Sequence, residues 1–438
     1  MRRRSASFGN TWRIALRSRR LEGFVVASSR IRVDPALVER YIMGMAQYGA
    51  HGETGVWRTV YDPHWVAATD QYAAWCEESG LSTWRDAVGN VWGRLEGSAD
   101  GPSIVSGSHI DSQKPGGRYD GILGALSALI ALRTLKEHFG QPKRTLEALA
   151  FCEEEASRFP AARFWGSRAI TGDITPEDPE QTRGFADESI ADAMRDIGLD
   201  PARIPEARRQ DFDTFVELHI EQGPILEQAG YPVGIVQAIT GIRHYFVELK
   251  GTANHAGAFP MDLRRDPMGG AAEIISGVLN TAYRMGRPAV TTCGRIEADP
   301  GGPAIVPEKV SFTIDARHPD PEQRQLLYNR HEALMREVAA RRGLEISWDH
   351  SINLDPIICD PELVSMIEDA AREQGIPALT MTSGAVHDTQ QMAKQARVAM
   401  IFVQSKDGRS HTPDEFSSIE HCTAGIEVLA ATLHKLAY

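Results

Sequence analysis

The stretch from Ser106 to Gly124 constrains the fold more than any other part of this 438-residue chain. A short apolar run leads into His109, and Asp111 follows after one residue. A glycine-rich loop then leads to Asp120, where a long apolar helix is predicted to begin. This order is typical of an α/β protein that presents metal ligands at the carboxyl edge of its sheet. Taken alone, His109 and Asp111 are better explained as a polar pair on a loop, so the metal-site interpretation depends on stretches further along the chain.

Asp-Pro pairs predict where several helices begin. Aspartate accepts backbone N–H groups as an N-cap, and proline at the first helical position has no N–H to leave unpaired. The pairs begin at Asp34, Asp62, Asp266, Asp320 and Asp360. Between them, short apolar strands alternate with helices of roughly 10–20 residues, which predicts an α/β fold with a mixed, mostly parallel sheet.

The pattern changes near residue 238, where a strand–helix–strand–helix–strand block begins. This block, residues 238–352, is predicted to be a smaller α+β domain inserted into the larger one, which comprises residues 34–237 and 353–438. Residues 1–33 stand apart, because seven arginines precede the first acidic residue, Glu22. We expect a disordered basic tail there, with a transit peptide or an over-extended translation start as the alternatives.

Composition excludes several classes of function. The formal net charge of −12 argues against nucleic acid as a partner, because phosphate binding requires a basic surface. No apolar run approaches the roughly 18 residues that a membrane span requires. The five cysteines are scattered and form no CxxC motif. They predict free thiols and a cytoplasmic location.

Four further stretches are unusually polar for their positions. Glu153 to Glu155 follow a predicted buried strand, although a solvated acidic turn is an open alternative. The segment from Glu217 to Gly223 places Glu217, His219 and Glu221 on one face of a strand, and the other two stretches supply His387 and His411. The ligand-type residues together are His109, Asp120, one glutamate of the 153–155 run, His219 and His411.

Three imidazoles and two carboxylates suit a pair of divalent ions such as Zn²⁺, Mn²⁺ or Co²⁺. A shared aspartate can bridge two ions about 3.5–4 Å apart. Asp111 would then accept the other ring N–H of His109 and fix its tautomer. A neighbouring glutamate would be free to act as general base.

Six segments, in order, resemble the amidase/carbamoylase branch of the M20 metallopeptidase-like family. They are GSHIDSQKPGGRYDG, EEEASRF, ELHIEQG, GTANHAG, SGAVHD and GRSHTPDE. The resemblance implies Glu154 as the general base and Asp111 as the residue that orients His109. The metal ligands that it implies are His109, Asp120 (bridging), Glu155, His219 and His411.

The same resemblance implies that the inserted domain is a lid that also forms a homodimer. His255 would then reach the substrate carbonyl across the dimer, and Arg317 would bind the substrate carboxylate. Gln222 and His387 match further substrate-contacting positions. Without the resemblance, Arg317 would be interpreted as a surface arginine and His387 could be a structural loop histidine.

The substrate pocket departs from the family pattern while the metal ligands do not. Ala304 stands where the family has an asparagine that contacts the substrate, Ala156 replaces a glycine, and Arg409 replaces a small apolar residue. We therefore expect a metal-dependent amidohydrolase that acts on a small-molecule linear amide, above all the carbamoyl (ureido) group of an N-carbamoyl-L-amino acid. Hydrolysis of a different N-acyl amide, or a non-catalytic binding role, are the alternatives.

Overall fold

The computed structural model describes residues 30–438, so the predicted basic tail lies almost wholly outside the described residues. The helices are α1 Pro35–Met45, α2 Pro63–Glu78, α3 Ile122–Phe139, α4 Trp165–Thr171, α5 Asp178–Gln181, α6 Ile190–Asp196, α7 Ile225–Ala229, α8 Pro267–Met285, α9 Pro321–Arg342, α10 Pro361–Gln374, α11 Thr389–Met392 and α12 Ile419–Ala437.

The strands of the first half are β1 Ala50–His51, β2 Gly55–Val56, β3 Ser82–Arg85, β4 Val91–Leu95, β5 Ser103–His109, β6 Leu146–Phe151, β7 Phe212–Ile220, β8 Val233–Ile239 and β9 Gly241–Lys250. Those of the second half are β10 Asn254–His255, β11 Val290–Thr292, β12 Ile296–Asp299, β13 Ile305–Val306, β14 Lys309–His318, β15 Glu345–Leu354, β16 Ile357–Ile358, β17 Ala378–Ser383 and β18 Arg397–Val403.

Within residues 30–438, nine strands form the larger sheet, in the order β16-β8-β18-β7-β5-β6-β4-β3 with β17 beside β8. The four central strands β18, β7, β5 and β6 run parallel, whereas antiparallel pairs lie towards both edges. Helix α3 packs against β5 and β6 and is apolar nearly all round, because α12 covers its other side. The predicted α/β class with a mixed sheet is confirmed.

A second sheet lies in the segment that was predicted to be an insertion. In the described chain it has five strands, β11-β14-β9-β15 with β12 beside β14, and all its pairs are antiparallel. Helices α8 and α9 pack on this sheet over a separate apolar cluster that includes Val247, Ile274 and Phe312. The chain leaves the first sheet after Ile239 and returns to it at Ile357.

Both sheets belong to one compact unit, Ile31–Tyr438. A division into two domains, and the role of the second sheet as a lid and dimerisation element, therefore stay predictions. Among the described helices, none is both long enough and apolar enough to cross a membrane.

Candidate metal centre

Parallel pairing brings three polar segments to one edge of the larger sheet. His109 ends β5 and is level with Phe151, the last residue of β6, so Glu153 to Glu155 emerge beside it. On the other side of β5, Ser106 pairs with Val216 of β7, and each of these residues lies three positions before a histidine. Because the strands run parallel, their carboxyl ends place His109, the glutamates and His219 together.

Asp120 lies at the centre of this cluster. Its Oδ1 atom is 3.7 Å from His109 Nε2 and 3.2 Å from His219 Nε2, and its Oδ2 atom is 3.3 Å from His411 Nε2. The next residue, Gly121, has a φ of +65°, and a Cβ there would overlap the His109 imidazole. Glycine is therefore required at the position that lets Asp120 and His109 approach one another.

Two groups of ligand-type atoms share Asp120. His109, Asp120 and His219 form one group, and Asp120, Glu155 and His411 form the other; within each group the ligand atoms lie within 4.8 Å of one another. His411 Nε2 is also 3.4 Å from Glu155 Oε1. The structure thus brings together all five residues that the sequence predicts as metal ligands, with the aspartate common to both groups.

Two of the histidines direct an Nε2 lone pair towards Asp120. His109 Nδ1 lies 3.2 Å from Asp111 Oδ1, and His219 Nδ1 lies 3.0 Å from the carbonyl oxygen of Ile220. These partners favour a proton on Nδ1, and His219 Nε2 accepts the backbone N–H of Gly121 at 3.2 Å, as an unprotonated nitrogen does. An imidazole whose second nitrogen donates to a carboxylate or carbonyl is the usual arrangement of a metal ligand.

The buried charges of the cluster fit a bound cation. Asp120 Oδ1 and Glu155 Oε1 are buried, and within the described residues neither accepts a hydrogen bond. Burial opposes charge on His411, but Asp120 and Glu155 raise its pKa to about 9. Burial also opposes charge on His109, yet Asp111 and Asp120 raise its pKa well above the ordinary value. The pKa values of these histidines are raised because the nearby carboxylates lack other positive partners. The carboxylate oxygens and imidazole nitrogens are also the donors that divalent transition metals prefer.

Glu154 lies beside Glu155 and His109 in the same pocket. Asp111 holds this segment in place, because its two oxygens accept the backbone N–H groups of Glu154 (3.1 Å) and Glu155 (3.2 Å). Burial, and then repulsion by Glu155, raise the pKa of Glu154 well above its ordinary value. A carboxylate with a raised pKa is a stronger base than an ordinary glutamate, as a general acid–base requires.

The predicted substrate-contacting residues lie in or beside the same pocket. Gln222 donates from Nε2 to Asp120 Oδ2 at 3.0 Å. The buried His387 lies 2.9 Å from the Ser383 hydroxyl, and burial, together with His219, lowers its pKa well below the ordinary value. Arg317 reaches the pocket from β14.

His255 lies away from these residues. It is exposed on β10, which pairs with β13, and its Nδ1 accepts the N–H groups of Gly257 and Ala258 at 3.1 Å. It does not line the pocket of its own chain. Its proposed contact with substrate requires a second chain and stays a prediction.

Three residues of the site were missed by the sequence analysis. Glu415 accepts the backbone N–H groups of Tyr119 and Asp120, both at 2.9 Å. Arg58 is buried and donates from Nε to the carbonyl oxygen of Ile110 at 2.7 Å. Arg163 lines the pocket itself. Glu415 belongs to the GRSHTPDE segment and could have been considered, whereas the other two carry no local signal.

Strained backbone surrounds the cluster. Ala156, Gln222 and His411 have φ values of 54°, 58° and 57°, in the left-handed region that non-glycine residues seldom adopt. Such conformations concentrate at functional sites because the surrounding structure holds them in place. The φ at Ala156 is one that glycine would adopt without steric cost.

The fold and the cluster together define a class of α/β proteins with a histidine–carboxylate cluster suited to metal ions at the sheet edge, and comparison with known proteins identifies the family. Residues 105–435 match Peptidase family M20/M25/M40. The chain is 39% identical over 399 residues to an allantoate amidohydrolase of Bacillus subtilis (91% of this chain, 97% of the relative). It is 38% identical over 399 residues to an N-carbamoyl-L-amino acid amidohydrolase of Geobacillus stearothermophilus (90% and 97%).

A solved amidase of the hydantoinase/carbamoylase family from Burkholderia multivorans superposes with a TM-score of 0.86 at 32% identity, covering 93% of this chain and 98% of that one. The chain belongs to the M20 family, in the branch of these amidohydrolases. The predictions of the family and of a hydrolase acting on non-peptide carbon–nitrogen bonds are confirmed.

Proposed function

We propose that this chain hydrolyses the carbamoyl group of a small ureido acid, such as an N-carbamoyl-L-amino acid, at a centre that binds two divalent ions. The observation that carries the proposal is the pair of ligand groups that share Asp120 beside the buried carboxyl of Glu154. Relatives whose names specify allantoate or N-carbamoyl-L-amino acids as substrates support the ureido class.

In this proposal His109, His219, Asp120, Glu155 and His411 hold the ions, which would be Zn²⁺, Mn²⁺ or Co²⁺. Bound ions would polarise the ureido carbonyl and make a water molecule more acidic. Asp111 keeps the His109 imidazole in the tautomer that leaves Nε2 free. Gln222 keeps the Asp120 carboxylate in place through its amide.

Glu154 carries the proton through the reaction. It accepts a proton from the water whose oxygen attacks the carbonyl carbon, and it returns that proton to the nitrogen as the C–N bond breaks. Its raised pKa suits both halves of this transfer. A positioned general acid–base of this kind contributes about 10²- to 10⁴-fold to the rate.

The substrate is held by residues from both sheets. Arg317 would bind the carboxylate, and Gln222 and His387 would contact the remaining polar groups. His387 is suited to a neutral role, since burial keeps its imidazole uncharged. His255 would donate to the carbonyl oxygen from the partner chain of a homodimer, where one such donor is often worth ~3–4 kcal/mol.

Ammonia release tests the proposal. The wild-type holoenzyme is given N-carbamoyl-L-amino acids, allantoate, ureidoglycolate and 3-ureidopropionate, alongside Glu154→Gln and the surface control Glu206→Gln. We expect turnover of at least one ureido compound, a loss of about 10² or more in kcat for Glu154→Gln, and wild-type activity for the control. Full turnover by Glu154→Gln would contradict the assigned proton transfer.

A second candidate is hydrolysis of an N-acyl amide in the same site, and the replacement of a family asparagine by Ala304 favours it. The Ala304 carbonyl oxygen accepts the backbone N–H of Ala256 at 3.0 Å, so this departure lies next to His255. N-acyl amino acids assayed by amine release decide between the two. Turnover of these compounds without any ureido turnover would favour the second candidate.

We also propose a homodimer formed through the second sheet and a location in the cytoplasm. Tyr283 on α8 is 84% exposed, and Val290 and Ile296 on neighbouring strands are about half exposed, which gives this face apolar surface to bury. The five cysteines are free thiols, as a reducing compartment favours. Sedimentation velocity of the wild type and of Tyr283→Glu tests the dimer.

A further inference from the structure

Two arginines line the pocket of the candidate metal centre. Arg317 enters it from β14, and Arg163 enters it from the loop before α4. A family substrate with one carboxylate requires only one guanidinium partner. The second arginine therefore needs its own explanation.

The two guanidinium groups differ in how they are paired. Arg317 donates from Nε and Nη2 to the two oxygens of Asp315 at 2.9 and 2.8 Å, and from Nη1 to the Gly384 carbonyl oxygen at 2.8 Å. Arg317 and His244 overcome the effect of burial and lower the pKa of Asp315 to about 2, so this partner is charged. Within residues 30–438, Arg163 makes neither a hydrogen bond nor an ion pair with a side chain or carbonyl group.

The balance of charges in the pocket also leaves Arg163 without a counter-charge of its own. The carboxylates that line it are those of Asp120, Glu154 and Glu155. Two bound divalent ions would more than cancel these three charges, and Asp315 already balances Arg317. Among the described residues, Arg163 is near Glu154 but has no hydrogen-bonded partner, and a planar guanidinium fork is best satisfied by a carboxylate.

The two arginines also reach the pocket from different parts of the fold. Arg163 lies on the side of Glu154, whose carbonyl oxygen accepts the backbone N–H of the neighbouring Phe164. Arg317 lies on the side of Gly384 and His387. Each arginine is thus supplied to the pocket by a different segment of the chain.

We infer that Arg163 binds a second carboxylate of the substrate, so that the preferred substrate is an N-carbamoyl dicarboxylic amino acid. This inference rests on the proposed ureido hydrolysis. It makes Arg163 a residue that determines specificity, in addition to the carboxylate contact proposed for Arg317.

Matched pairs of substrates test the inference. N-carbamoyl-L-aspartate and N-carbamoyl-L-glutamate are compared with N-carbamoyl-L-asparagine and N-carbamoyl-L-glutamine, which have nearly the same shape without the second charge. We expect the wild type to favour the diacids in kcat/KM. Arg163→Gln should raise KM for the diacids about 10- to 100-fold more than KM for the neutral partners, since a charged hydrogen-bonded contact is lost only with the diacids.

The control is Arg168→Gln, because Arg168 lies nearby on α4 but pairs with Asp178 at 3.1 Å and does not line the pocket. Equal losses for charged and neutral substrates, or a loss for allantoate as large as that for the diacids, would overturn the inference. So would a wild type without preference for the diacids.

Competitive inhibition separates a failure of this inference from a failure of the proposed function. L-Aspartate and L-glutamate should inhibit the wild type more strongly than L-asparagine and L-glutamine, and Arg163→Gln should remove this difference. Absence of all ureido turnover would contradict the proposed function, whereas the inhibition constants, measured with any substrate that is cleaved, still decide the role of Arg163.

Discussion

At the scale of single residues, Asp120 organises the candidate centre. Three histidines direct Nε2 atoms towards its carboxylate, and the Ser410 hydroxyl donates to its Oδ2 at 2.8 Å. Its backbone N–H is held in turn by Glu415, which is buried. The position of the shared ligand thus depends on a carboxylate that touches neither the proposed ions nor the substrate.

We expect Glu415→Ala to weaken metal binding about 10- to 100-fold, because the change frees the backbone of Tyr119 and Asp120. Glu415→Gln keeps an acceptor oxygen and should lose less. Competition with a chelating dye measures the affinity, and circular dichroism checks the fold. Asp414→Asn, a change at the neighbouring exposed residue, is the control. If Glu415→Ala left the metal affinity unchanged, Glu415 would not position Asp120 for metal binding.

The residues that the sequence predicted and those that it missed differ in a physical way. His109 and His219 lie at the carboxyl ends of apolar strands and Glu155 follows one, so their position near a sheet edge is encoded locally. Glu415 binds backbone groups that lie far away in the sequence, and Arg163 lines a pocket that distant segments form. Hydrophobic periodicity does not encode either arrangement. Their roles became visible only from hydrogen bonds and from the pocket lining.

At the scale of elements, helix starts were the most predictable feature. Asp34, Asp62, Asp266, Asp320 and Asp360 each cap a helix whose first residue is proline, as expected. The signal works because the cap hydrogen bond and the missing proline N–H are properties of adjacent residues.

The end of β7 shows where local reasoning fails. Glu217, His219 and Glu221 were expected on one face of a strand, but β7 ends at Ile220. Glu221 instead accepts the backbone N–H groups of Ile225 and Leu226, and Glu217 accepts the hydroxyls of Ser108 and Thr389. Of the three side chains, only His219 points to Asp120, because tertiary partners satisfy the other two.

A buried histidine between α9 and the second sheet predicts that the free energy of unfolding depends on pH. His331 on α9 is buried, its Nε2 lies 3.0 Å from Thr291 Oγ1, and burial lowers its pKa from 6.5 to about 4. Between these pH values the unfolded chain binds a proton that the folded chain does not. His331 therefore lowers the free energy of unfolding as pH falls through this window, by up to about 3 kcal/mol.

Urea unfolding from pH 7 to pH 4 measures this effect. His331→Gln stays neutral throughout, so its free energy of unfolding should fall less steeply with decreasing pH than that of the wild type. The exposed His64→Gln is the control and should follow the wild type. Parallel curves for wild type and His331→Gln would show that His331 is not the group responsible.

At the scale of the whole molecule, the candidate centre joins distant parts of the chain. His109 and His411 are separated by about three hundred residues in the sequence, yet both lie against Asp120. The second sheet adds Arg317, whose contact with Gly384 links it to the larger sheet. A centre built from so many segments should be preserved only in the folded chain, so metal binding and folding are coupled.

The central claim is that this chain hydrolyses a ureido bond at a centre that holds two divalent ions. The most direct measurement is a titration of chelator-stripped enzyme with Zn²⁺, Mn²⁺ or Co²⁺, following ammonia release and the thermal unfolding midpoint together. The account predicts no turnover before metal is added, and a rise in both signals that ends at two ions per chain. Ammonia release by the stripped enzyme at the rate of the reloaded enzyme would contradict it.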